Sequence, residues 1–210
     1  MRIFSLVIVL GVILFSMVLH ELAHGLVALL LGDTTAKEDG RLTLNPLKHL
    51  DPVMSVLLPV ISFLMGGVVF GGAKPVPVKF SELKGGVWGM ALVALAGPLV
   101  NFLLALIAFL IGFYSVGFDG VTLGSAIVTE FMFINLGFGV FNLIPIPPLD
   151  GSRVLYVLMP DGVRSFMERI ESLGIFIVYV LIVLGGGVFS SYMTGAMNGI
   201  LFFFYWLVGM

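Results

Sequence analysis

Cysteine is absent from the 210 residues. That excludes disulfides and thiolate metal ligands, so a metal site here has to be built from histidine and carboxylate. Histidine is scarce too, with three residues in the chain, which makes each one a candidate. Charged residues make up 10% of the sequence, against roughly 25% in an ordinary soluble domain. A net charge of -2 spread over short loops offers no basic face for nucleic acid and no acidic tail, so no nucleic-acid partner is expected. No loop is long enough for a separate soluble domain, and there is no internal repeat. What the chain does have is apolar side chains, 60% of the total, which places it in a lipid bilayer with lipids and other membrane segments as its partners. Residues 1–210 read as a single integral-membrane domain.

An apolar stretch approaching twenty residues is a spanning candidate, because lipid offers no partner to an unpaired backbone amide. Six segments qualify or nearly do: 3–31, 53–70, 87–112, 126–144, 173–188 and 193–208. The first runs on too far, and without a small-residue cleavage site, to be a signal peptide, and is expected to stay as a helix. The expected fold is an all-α membrane protein, a polytopic bundle of five to six transmembrane or re-entrant helices. The 32–52 and 71–86 loops set β-branched residues beside prolines, which allows short β-strands there.

The ten Lys and Arg give a topology. Three lie in the loop 32–52, three in 71–86, none in 113–125 and three in 145–172. If segment 53–70 crossed the membrane, two equally basic loops would face opposite sides; if it is re-entrant, both face the cytoplasm, as the positive-inside rule favours. The re-entrant arrangement is expected, with the N-terminus outside.

His20-Glu21-Leu22-Ala23-His24 is an H-E-x-x-H sequence. On a helix, positions i and i+4 share a face, so both imidazoles can ligate one Zn²⁺ while Glu21 stands where it can act on a water. Two helix-packing histidines are the bland alternative, but two histidines and a glutamate in one bilayer-spanning helix are expensive without a function. Counted from Ile3, His20 lies seventeen residues in, or roughly 26 Å at ~1.5 Å per residue, most of the way through a ~30 Å hydrocarbon core. Water then has to arrive through a protein-lined cavity.

A catalytic zinc normally takes three protein ligands, so a third has to come from elsewhere. Asp150 is the leading candidate, in a stretch where Pro145, Pro147 and Pro148 break the helix and Gly151 permits a tight path. The competing role for Asp150 is an N-cap for a helix over 152–159. Glu130, which interrupts an apolar segment, ranks second as ligand. His49 reads as a loop or capping residue, and Gly97, Pro98 and Asn101 as helix-packing residues.

H-E-L-A-H (20–24), N-P-L-K-H-L-D-P (45–52), G-G-A-K-P-V-P-V (71–78), A-G-P-L-V-N (96–101) and N-L-I-P-I-P-P-L-D-G (142–151) together resemble the site-2 protease family of intramembrane metallopeptidases, in its short prokaryotic form. The resemblance implies one Zn²⁺ held by His20, His24 and Asp150, with Glu21 as general base. It also implies that Asn142 positions substrate or polarises the reacting carbonyl. The implied protein is multi-pass in the prokaryotic cell (inner) membrane and cuts transmembrane protein substrates, which could pair strand-like with the 71–78 loop. Two other functions use the same residues: an inactive relative that binds membrane proteins, and a metal transporter. The intact Glu21 argues against the first. The concentration of ligands at one point beside a base, rather than along a path, argues against the second.

Overall fold

The computed structural model describes residues 2–52, Leu57 and 74–210. Its long helices follow the apolar segments. α1 runs Arg2–Leu30, and a short helix, α2, covers Thr35–Glu38. α3 covers Val87–Ile111 and continues as a π-turn over Gly112–Val116; α4 covers Leu123–Asn142. The expected loop 145–172 instead folds largely into two amphipathic helices, α5 (Asp150–Leu158) and α6 (Asp161–Glu171). α7 is a helix of 33 residues, Ile175–Leu207.

Among the described residues, three helical stretches are long and apolar enough to cross a membrane: Ile8–Leu30, Val87–Val116 and Leu123–Asn142. Segment 53–70 lies outside the described residues apart from Leu57, and the expected count of five to six spanning or re-entrant helices is not reached among those described. The expected division of the C-terminal region into 173–188 and 193–208 is corrected: both belong to the continuous α7. Ser190 and Ser191 fall where a break was expected, but a serine hydroxyl can bond back to its own helix and, in an apolar setting, backbone satisfaction favours keeping the helix.

α3 is the central element, packed against α1, α4 and α5, while α4 also touches α1 and α7. Small residues let these helices approach: Ala105 and Ala108 on α3 are buried with Phe109, beside Met132 and Leu136 of α4 and Phe204 of α7. Gly139 of α4 leaves the space that the Phe102 ring fills; a Cβ there would collide with it. The outward faces of α3 and α7 carry exposed Leu99, Leu103, Leu184, Val188 and Phe202, as a lipid-facing surface does.

The expected short strands do not form among the described residues of either loop. Residues 74–79 are extended but make no ladder, because Pro75 and Pro77 have no N–H to contribute. The segment is pinned from several sides instead. The Lys74 amide donates to the His49 carbonyl (2.8 Å), and Arg41 Nη2 donates to the Lys74 carbonyl (2.7 Å). At the far end the Lys79 amide donates to Asp33 Oδ2 (2.7 Å), while Asp33 Oδ1 accepts from the Thr35 amide (2.9 Å). Burial works to raise the pKa of Asp33, but these hydrogen bonds to its charged form outweigh it and hold the carboxyl below the ordinary carboxylate value. The middle of the segment is held by a residue of the H-E-x-x-H sequence.

Candidate metal centre

His20 and His24 lie one turn apart on α1, and both are buried. Their Nε2 atoms are 3.0 Å from each other. Asp150, the first residue of α5, brings Oδ2 to 3.2 Å from His20 Nε2 and 3.3 Å from His24 Nε2. The three ligand atoms lie within 4.8 Å of one another and form a group able to hold a metal ion. Asp150 is not an N-cap: the helix begins at Asp150 itself, Leu149 holds the cap position and no side chain caps it. The path that delivers Asp150 depends on Gly151, whose Cβ, were there one, would strike the Leu143 carbonyl and lie 2.8 Å from that of Ile144.

The donor chemistry fits a cation. His24 Nδ1 sits 2.7 Å from the Val93 carbonyl, which can only accept. His24 Nδ1 therefore carries the proton, and neutral His24 turns the lone pair of Nε2 toward His20 and Asp150. Asp150 Oδ2 is buried with no hydrogen-bond donor of its own. An acceptor oxygen and an imidazole lone pair aimed at one point, away from water, call for a shared positive charge. Tetrahedral Zn²⁺ with two His nitrogens and one Asp oxygen is a donor set of the catalytic type.

The packing of α3 leaves room for that point. A Cβ on Gly97 would stand 2.5 Å from His20 Cε1, 2.5 Å from His24 Nε2 and 2.6 Å from His20 Nε2. A side chain at 97 thus has to push the imidazoles apart. Gly97→Val is expected to weaken zinc binding by roughly 100-fold, the equivalent of ~3 kcal/mol of overpacking. Competition against a zinc-chelating dye measures this, and an unchanged affinity would show that Gly97 is not part of the cradle.

Glu21 is on the same turn as His20, and its Oε2 accepts from the Val76 amide at 2.8 Å. The extended 74–79 segment thereby fixes the carboxylate beside the metal group. A cavity of about 380 Å³ opens there, lined by His20, Glu21, His24, Asp150, Asn142 and Val76 among others. Arg153 and Glu171 also line it as an ion pair, with the guanidinium carbon 4.8 Å above the Phe80 ring.

His20, Glu21, His24, Asp150 and Asn142 are thus gathered around one cavity. Asn142 Nδ2 donates to the Phe138 carbonyl of its own helix at 3.0 Å. Glu130 is exposed and is neither in the metal group nor in the cavity lining. His49 is buried in its loop, with Nε2 2.9 Å from the Thr43 carbonyl, and lies outside the metal group. Sequence reasoning missed the Val76 amide and the Val93 carbonyl, since a backbone contact leaves no mark on residue type. It also missed the Arg153–Glu171 pair, for which two charges on neighbouring amphipathic helices are the only signal.

A helix-borne H-E-x-x-H joined by a distant carboxylate, set among bilayer-length helices, defines the class of membrane-embedded metallopeptidases. Comparison with known proteins agrees. The model of peptidase family M50 matches residues 120–185. The "Putative zinc metalloprotease YwhC" of Bacillus subtilis is 41% identical over 177 residues, covering 81% of this chain and 78% of YwhC. The "Putative zinc metalloprotease Rip2" of Mycolicibacterium smegmatis is 33% identical over 178 residues, 81% of this chain and 64% of Rip2. "Zinc metalloprotease MJ0392" of Methanocaldococcus jannaschii is 31% identical over 153 residues, 72% of this chain and 34% of that protein. No solved structure matches. The chain belongs to peptidase family M50, the site-2 protease family.

Proposed function

We propose that this protein is an intramembrane zinc metalloprotease, hydrolysing peptide bonds of transmembrane protein substrates within or at the edge of the bilayer of a prokaryotic cell. The observation that carries the proposal is the metal-type group of His20, His24 and Asp150 beside Glu21, in a cavity walled by α1, α3 and the turn before α5. When bound, Zn²⁺ supplies Lewis-acid polarisation of the scissile carbonyl and lowers the pKa of a water toward ~7.

The remaining work falls to the chain. His20 and His24 offer nitrogen from one face of α1, and Asp150 contributes the negative charge that offsets a dication. Glu21 takes a proton from the attacking water and returns one to the leaving amine. The Val76 amide keeps that carboxylate in place while leaving its other oxygen for proton transfer. Asn142 has a second N–H beyond the one given to Phe138, and it serves a developing oxyanion or the substrate backbone. A substrate helix has to unwind to expose its peptide bond, and the extended 74–79 segment is where an unwound strand can lie. Glu21, a base beside the metal group, is also the feature a binding-only or transport protein has least use for.

The test is to place the protein and a single-span substrate together in liposomes and map the products by mass spectrometry. New termini are expected inside the apolar span of the substrate, disappearing on zinc chelation and returning on zinc addition. Products cut only in the soluble flank, or formation unaffected by chelation, would overturn the proposal.

A further inference from the structure

His20 Nδ1 is 2.6 Å from Asn101 Oδ1 on α3. Asn101 Nδ2 donates to Asn135 Oδ1 on α4 at 2.9 Å. Asn135 Nδ2 in turn donates to Ser16 Oγ (2.9 Å), one turn before His20 on α1, and to the carbonyl of Phe131 (2.8 Å). Ser16, Asn101 and Asn135 are each fully buried at 0% exposure. Two buried amides and a hydroxyl thus tie α1, α3 and α4 together directly behind the first histidine.

An amide and an imidazole can each be turned over, so the direction of such a chain has to be settled by a group that cannot. The Phe131 carbonyl is that group: it accepts and cannot donate. It obliges Asn135 to present its NH₂ to Phe131 and Ser16, which leaves Oδ1 facing Asn101. Asn101 must answer with its NH₂, and so its own Oδ1 faces His20. His20 Nδ1 then has to carry the proton, and the lone pair of Nε2 is directed at His24 Nε2 and Asp150. The reverse order would put a proton on His20 Nε2, in the space between the ligand atoms, and would leave acceptor facing acceptor at Phe131.

We propose that Asn101, oriented by Asn135 against the Phe131 carbonyl, is a positioning residue that fixes His20 in its metal-ligating tautomer. The proposal rests on the reading of His20, His24 and Asp150 as a metal centre and adds the device that sets the protonation pattern of its first ligand. His24 gets the same setting from a backbone carbonyl, whereas the setting of His20 is carried by side chains and can be changed by mutation. A bonded outer partner of this kind is worth about 10–100-fold in metal affinity.

Two measurements on full-length protein test it. The first is the ¹⁵N spectrum of the histidine rings in metal-free protein, which is simple to assign with three histidines in the chain. Wild-type His20 is expected as the Nδ1–H tautomer, and Asn101→Leu is expected to shift it toward Nε2–H. The second is zinc competition. Asn101→Leu should lose about 10–100-fold in zinc affinity, whereas Asn101→Asp, whose carboxylate still accepts from Nδ1 although its second oxygen then meets Asn135 Oδ1, should lose clearly less than Asn101→Leu. A packing role would give the opposite order, with the buried charge of Asn101→Asp the more damaging and the near-isosteric Leu tolerated. That order, or wild-type His20 in the Nε2–H form, overturns the proposal. Wild-type protein that binds no zinc would instead overturn the metal centre itself, and the tautomer measurement still reports on the relay in that case.

Discussion

Glu21→Gln is expected to lower cleavage by roughly 10²–10⁴-fold, the range a positioned general base supplies, with zinc content unchanged. The substitution is informative because the amide oxygen of Gln can still accept from the Val76 N–H, which now bonds Glu21 Oε2 at 2.8 Å. The 74–79 segment and the cavity wall therefore stay where they are, and what is removed is the ability to take and return a proton. A preparation that retains full zinc and folds as wild type yet does not cut assigns the base. Undiminished cleavage would remove Glu21 from the chemistry and leave its bond to Val76 as its whole role.

Asp150→Ala is expected to cost more in zinc affinity than any outer-shell change, well beyond the roughly 10–100-fold those produce, and to abolish cleavage with it. Two imidazoles 3.0 Å apart at Nε2 would be left facing each other, without the anion that offsets a dication in a buried site. Glu130→Ala is the matching control. That side chain is exposed on α4 and outside the metal group, so its loss should leave zinc binding as it was. Zinc retained by Asp150→Ala and lost by Glu130→Ala would reverse the assignment of the third ligand.

His20 and His24 were legible in the sequence because helical periodicity alone puts i and i+4 on one face, and a uniformly apolar flank made that helix certain. Asp150 was legible as the carboxylate that joins the two histidines, through prolines that break the helix next to it, although the start of α5 at Asp150 rather than two residues later was not. The helix limits of α1, α3 and α4 came within a few residues, since apolar length fixes them. The C-terminal region divides by apolar content into 173–188 and 193–208 but forms one helix, α7, because helix continuity depends on what surrounds the backbone. β-branched residues beside prolines allow short strands in the 71–86 loop, but whether such a chain joins a sheet depends on partners distant in sequence, and residues 74–79 join none. Their partners turned out to be Glu21, Asp33, Arg41 and the His49 carbonyl. Asn101 illustrates the same limit. One amide in an apolar helix signals a hydrogen bond, but only the crossing of three helices reveals that the bond ends on His20.

Zinc content and cleavage measured on the same preparations of wild type, Glu21→Gln and Asp150→Ala test the centre most directly. One zinc with cleavage, one zinc without cleavage, and neither zinc nor cleavage are the respective expectations. Wild-type protein that cuts its substrate with no zinc bound, or an Asp150→Ala variant that keeps both, would contradict the assignment of His20, His24, Asp150 and Glu21 as a hydrolytic metal site.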